Sequence, residues 1–417
     1  MATARLLAPV LARRARESPV VVLTGPRQSG KTTLVRATFG DRPYANLEAP
    51  DLRERAIQDP RGFLANFPDG AVLDEIQRAP ALLSYIQVDV DARRQRGRWI
   101  LTGSQNLLLL SGVSQSLAGR AALLELLPMS VGELRAGGWL SDDLCTVLWR
   151  GGYPAPFDRG ESPHDWLGGY VATYVERDVR QVLGIGDLLT FQTFLRLAAG
   201  RTGQLLNLSQ LGADAGMTHN TARSWLGVLE ASYVASRLPP FVRNVGKRLV
   251  KTPKLHFIDS GLACYLLGIR APEELRQHPL RGAVFESWVV AEILKSHRNA
   301  GQPARLSFFR DAHGMEVDLL IERGADVLGI EAKSGATVPL EAFRSLEALG
   351  ELVPELAERL IVHGGAETWR TNAGRAVSFR EVDSIVWPAE VESKPTRRVR
   401  PRRAAKVRVG KDGKPGS

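Results

Sequence analysis

The chain has 417 residues, 44% hydrophobic and 24% charged, an ordinary globular balance with room for two or three domains of ~150 residues. The formal charge is +10, but residues 391–417 hold ten basic and only two acidic side chains, so the body is close to neutral and a polyanion-binding surface spread over the whole chain is excluded. Two cysteines, Cys145 and Cys264, exclude a disulfide framework and a thiolate zinc centre, no apolar run reaches the ~20 residues that span a bilayer, and no signal-type h-region precedes a cleavage site, so a cytoplasmic protein with no membrane partner is expected.

Residues 19–127 alternate short apolar runs with helical patterns. Strands are predicted at Pro19–Thr24, Tyr44–Leu47, Ala71–Leu73, Trp99–Leu101 and Ala121–Leu127, the signature of an α/β fold with a parallel sheet and crossover helices. From Pro128 onward the pattern becomes helices broken by Gly and Pro, and 150–166 reads as a loop. Helices are predicted over 167–182 and 187–199, then a compact helical unit with a strand pair over 205–260. Helix 282–296 and strands near 305–310, 315–322 and 326–332 follow. The expected division is 1–128, 129–204, 205–262 and 280–388, with 391–417 a disordered basic tail.

Gly25-Pro26-Arg27-Gln28-Ser29-Gly30-Lys31-Thr32 fits G-x-x-x-x-G-K-[ST], follows an apolar strand and opens a helix. Residues 25–33, with Thr33 in the first helical turn, are therefore expected to bind ATP. Glycines let backbone N–H groups approach phosphate oxygens, the helix N-terminus adds partial positive charge, and Lys31 reaches the β- and γ-phosphates. Thr32 and Asp74, which ends the strand Ala71-Val72-Leu73, are the expected Mg²⁺ holders, and Glu75 the general base toward water. Ser104, after the strand Arg98–Gly103, either orients that water or caps a helix. Arg120 either reaches the phosphates in cis, serves as a finger on the neighbouring subunit of a homo-oligomer, or is a plain surface arginine.

GPRQSGKTT, AVLDEIQ, LTGSQN and SLAGR, in this order, resemble bacterial AAA-type ATPases that carry a C-terminal domain of unknown function. YVERDVRQVL (174–183), NVGKRLVKTPKLHFIDSGL (244–262), FESWVVAE (285–292) and EVDLLIE (316–322) are similar to the same family, so the resemblance spans about residues 5–380. It implies a sheet in which the strand ending at Ser104 lies between the phosphate-loop strand and the Asp74 strand, and it implies no particular substrate.

In the middle region, a short helix from Ser209 ends at Gly216, and Thr218 caps a second helix running to Ala231. His219, Asn220 and Arg223 lie near its start, where a recognition helix meets base edges. Residues 231–258 contain no acid and six basic side chains, Arg237, Arg243, Lys247, Arg248, Lys251 and Lys254. With strand candidates Tyr233–Leu238 and Lys254–Phe257, this reads as the basic wing of a winged-helix unit touching nucleic-acid phosphates; a packing module is the alternative. Asp178 and Arg180 read as an internal ion pair or as nucleotide contacts.

Glu286 stands in an apolar helix where a carboxylate is costly unless paired. Gly324-Ala325 suits a two-residue hairpin turn, which puts Asp318 opposite Glu331 and Glu316 opposite Lys333 on one sheet face. Two such carboxylates repel unless a cation intervenes; Mg²⁺ fits oxygen ligands, and Lys333 alone is the competing offset. Glu286, Asp318 and Glu331-x-Lys333 resemble the PD-(D/E)xK nuclease pattern, that of a restriction-endonuclease-like domain. The function expected is a Mg²⁺-dependent ATPase coupled to a nucleic-acid-directed activity, with metal-dependent cleavage at the C-terminal site. The alternative is a nucleotide-controlled switch that binds DNA or protein on an inactive nuclease-like platform.

Overall fold

The computed structural model describes residues 4–93, 95–104, 113, 116–175, 188–242 and 250–385; the basic tail lies outside these. The first sheet joins β1 (Val20–Thr24), β2 (Tyr44–Asn46), β3 (Ala71–Asp74), β4 (Trp99–Thr102) and β5 (Ala121–Glu125) in the order β2-β3-β4-β1-β5, every pair parallel. The strand ending beside Ser104 thus lies between the phosphate-loop strand and the Asp74 strand, as the family resemblance implies. Residues of β1 alternate between two cores. Val20 and Val22 pack with Leu73, Trp99 and Leu101, whereas Val21 and Leu23 pack with Val72, Ile100 and Leu11 of helix α1 (Ala8–Glu17). A sheet covered on both faces needs uninterrupted apolar strands, which is why β1 is buried at all five positions.

The segment expected to be a loop, 150–166, instead starts two helices, α3 (Pro154–Arg159) and α4 (Pro163–Tyr170); α2 is Lys31–Thr38. Both prolines sit in the first turn, where the missing N–H costs nothing and the fixed φ suits the helix. Ser162 caps the second helix by accepting the N–H of Asp165. Helices α5 (Leu188–Ala199), α6 (Leu208–Asp214) and α7 (His219–Ala231) then pack through Phe191, Phe194 and Trp225, with edge-on ring contacts at 5.4 and 5.5 Å. A small antiparallel sheet, β6-β8-β7, joins β6 (Gln204–Leu205), β7 (Ala235–Leu238) and β8 (Lys254–Phe257).

Helix α8 (Arg281–Asn299) lies against a six-stranded mixed sheet of β9 (Leu306–Arg310), β10 (Glu316–Arg323), β11 (Asp326–Lys333), β12 (Leu356–His363), β13 (Trp369–Arg370) and β14 (Arg375–Ser378), ordered β13-β14-β12-β11-β10-β9. Pairing of Arg323 with Asp326 and of Leu319 with Ile330 is the register expected from the Gly324-Ala325 turn, and Gly324 has φ +63°. The strands after residue 350 escaped the sequence pattern: β13 is two residues long, and β12 does not alternate, its first half being open and its last four residues all buried.

Candidate functional site

The loop after β1 is shaped by two glycines. Gly25 has φ +148°, and a Cβ there would collide with the Leu126 carbonyl. Gly30, at φ +92°, opens α2, whose first N–H groups have no partner within the helix. Lys31 is 5% exposed, and its Nζ donates to the carbonyls of Gly25 (3.0 Å) and Pro26 (2.7 Å). Arg5 braces the loop from the N-terminal segment. Its Nη1 donates to the Ser29 carbonyl at 2.6 Å, its Nη2 to the Leu127 carbonyl at 2.7 Å and its Nε to Glu133 at 2.9 Å. Ser130-x-x-Glu133 is a capping box that marks Glu133 locally, and the Ser130 N–H donates to its carboxylate at 2.9 Å, but nothing local marks Arg5 as its partner, because the pair is formed across 128 residues.

Asp74 faces this loop. Thr32 donates to its Oδ2 at 2.8 Å and Tyr44 to the same oxygen at 2.6 Å, while Thr102 donates to Oδ1. Burial, then the bond to Asp74, raises the Tyr44 phenol well above its ordinary range, so it stays a donor. Glu75 has φ +58°, and its carboxylate accepts from Ser104 at 2.9 Å and from Gln77. The structure therefore gathers Lys31, Thr32, Asp74, Glu75 and Ser104 at one end of the sheet. Gln105 and Asn106 lie outside the described residues.

Arg120 is elsewhere. It precedes β5, whose first residue pairs with Val20 at the start of β1, so it stands at the opposite sheet edge, about 16 Å along the strand from the loop. There it binds Asp91 at 2.6 and 2.9 Å. This corrects the expectation of a phosphate contact in cis.

The C-terminal carboxylates also converge, but around a residue that the sequence assigned to a phosphate-touching wing. Lys254 is 1% exposed; its Nζ donates to Glu286 at 2.7 Å, pairs with Glu316 and lies 3.8 Å from Asp318. Asp318 accepts the Ala332 N–H at 2.9 Å, and Lys333 donates to Glu331 at 2.6 Å. Burial, then the neighbouring Asp318 charge, pushes both Glu286 and Glu331 up to about 8. Among the described residues no group of three His, Cys, Asp or Glu side chains is arranged to hold a metal ion. The charge offset that the sequence assigned to a divalent ion is supplied by two lysines.

The remaining basic positions divide. Arg237 is paired with Glu230 at 2.7 Å and Lys251 is exposed, whereas Arg243, Lys247, Arg248, Asp178 and Arg180 lie outside the described residues. Asn220 and Arg223 are exposed at the start of α7, and His219 is half-buried.

Residues 17–135 match an AAA domain model, 141–273 a domain of unknown function (DUF8612) and 281–382 another, DUF4143. Uncharacterized proteins Rv2008c of Mycobacterium tuberculosis and Mb2031c of Mycobacterium bovis are each 33% identical over 361 residues, 85% of this chain and 78% of theirs. The Walker-type ATPase PABY2304 of Pyrococcus abyssi superposes with a TM-score of 0.44 at 16% identity, over 62% of this chain and 94% of that one. AMPPCP-bound DnaA of Aquifex aeolicus gives 0.25 at 16% identity, over 54% and 86%.

Proposed function

We propose, for a chain that belongs to the family of these mycobacterial proteins and is a P-loop ATPase, that ATP hydrolysis drives a binding switch acting on nucleic acid. In this reading Lys31 and the N–H groups of residues 25–33 hold the β- and γ-phosphates. A cavity of about 390 Å³ beside the loop, with Ala8, Leu34, Met129 and Pro154 in its wall, takes the base. Thr32 and Asp74, 2.8 Å apart, offer a hydroxyl and a carboxylate that suit Mg²⁺ beside phosphate. Bound there, Mg²⁺ neutralises charge on the phosphate oxygens. Glu75 accepts a proton from water, and Ser104 and Gln77 hold its carboxylate in place. Arg120, half-buried at the far end of the sheet and paired with Asp91, is left the role of a finger on a neighbouring subunit.

In the same reading residues 205–262 form a winged-helix unit, with Asn220 and Arg223 toward nucleic acid and the tail adding non-specific affinity. Residues 280–388 form a nuclease-like platform that does not cut. The observation that carries this choice is Lys254, whose ammonium balances Glu286, Glu316 and Asp318, while Lys333 pairs with Glu331, so the carboxylates have cation partners of their own. The rival nuclease reading draws on Glu286, Asp318, Glu331 and Lys333 gathering in one neighbourhood.

The test is to incubate the purified chain with Mg²⁺ or Mn²⁺, with and without ATP. Phosphate release, binding and cleavage of single-strand, duplex and branched DNA are then followed. The switch reading expects ATP-dependent binding with no cleavage. Cleavage that Asp318→Ala and Glu331→Ala abolish would replace it with the nuclease reading, DNA affinity that ATP does not change would remove the switch, and no affinity would remove the nucleic-acid role.

A further inference from the structure

Helices α6 and α7 end with the same hydrogen-bond pattern but with different residues. After α6, Gly216 takes φ +71°, its N–H bonds Ala213 and the next N–H bonds Gly212. After α7, the N–H of Tyr233 bonds Glu230 at 3.0 Å, the next N–H bonds Leu229 at 2.9 Å, and Tyr233 itself takes φ +59°. Glycine is the ordinary residue at this left-handed position, and a bulky side chain there is strained. Such an outlier calls for something the side chain does.

The phenol of Tyr233 is buried among Leu127, Ile258 and Leu294, and its hydroxyl lies 2.7 Å from Thr24 Oγ1. Thr24 is the last residue of β1, directly before Gly25. Its own hydroxyl donates to the Leu124 carbonyl of β5 at 3.3 Å, which leaves Tyr233 as the donor in the shared bond. Nearby, Arg298 of α8 pairs with Glu125 of β5 at 2.6 Å. The root of the phosphate loop is thus tied to the far end of the helix that begins with His219 and Asn220.

We propose that Tyr233 is a positioning residue for ATP hydrolysis: its phenol fixes the end of β1 from which the phosphate loop springs, so that the loop and α7 set each other's position. The coupling is reciprocal, and whatever shifts α7 alters hydrolysis as nucleotide alters α7. The proposal needs only the ATPase activity and stands apart from the nucleic-acid reading.

The experiment compares the full chain with Tyr233→Phe, Thr24→Val, the double variant and Thr24→Ser. Tyr233→Phe keeps the packing and loses the hydroxyl. It and Thr24→Val should each lower kcat about fivefold, with KM for ATP within about twofold, because the bond orients the loop and does not itself hold ATP. The double variant should be no worse than either single change, and Thr24→Ser should restore most of the rate. Amide hydrogen exchange across 219–231 should respond to a non-hydrolysable ATP analogue in the natural chain and not in Tyr233→Phe. A natural kcat in Tyr233→Phe overturns the proposal. So does a double loss equal to the product of the singles (about 25-fold), or an exchange response that is missing from the natural chain or kept in the variant.

Discussion

Both oxygens of Asp74 are taken by hydroxyl donors, from Thr32, Tyr44 and Thr102, and Lys31 is held on the carbonyls of its own loop. Such crowding makes single side chains decisive. Lys31→Ala should lower ATP hydrolysis at least ~100-fold, since the γ-phosphate loses its main cation in a partly dry site. Glu75→Gln should leave ATP binding intact and slow phosphate release by ~10²–10⁴-fold, the usual contribution of a general base. Nucleotide titration beside a phosphate-release assay separates the two, and natural-rate hydrolysis in either variant would relocate the site. Arg5→Met should cost ~3–5 kcal/mol in urea unfolding, because Glu133 would remain buried without its cation.

At the scale of elements, legibility followed sequence distance. The phosphate loop, α2 and β3 are written in contiguous residues, and the β10–β11 register follows from one two-residue turn plus the period of a strand. Lys254 was misread because its run of basic neighbours looked like a solvated wing, while its partners stand 32 residues or more away. The helices at Pro154 and Pro163 were missed because proline marks a helix start as readily as a break. Lys254 also gives a pH prediction. The folded-state values of Glu286 and Glu331, about 8, lie above the ordinary carboxylate range. Between roughly pH 4.5 and 8 the native state therefore holds protons that the unfolded chain has released, and stability should fall as pH rises through that window. Lys254→Met should cost ~3–5 kcal/mol at pH 8 and less at pH 5, where its partner Glu286 is protonated. Urea midpoints at the two pH values check this, and equal losses would show that the charge of Lys254 is not what matters.

For the whole molecule, the charge distribution separates folding from affinity. Residues 391–417 contribute ten basic side chains and almost no core-forming ones. Deleting them should leave Tm unchanged within about 2 °C and flatten the dependence of DNA affinity on salt, since each lost phosphate contact removes about one released counterion. A large fall in Tm would mean that this segment docks on the body. What the sequence could not disclose at this scale is how its parts meet: Arg5 with Glu133, Thr24 with Tyr233 and Glu125 with Arg298 all join residues more than 100 positions apart.

Those separations order the events of synthesis. Arg5 leaves the ribosome 128 residues before Glu133, an interval of ~6–25 s at ordinary elongation rates. Thr24 waits a further stretch, since Tyr233 follows it by 209 residues. The nascent phosphate loop is therefore complete in sequence well before it is braced, and it gains its anchor on α7 only when more than half of the polypeptide has been translated.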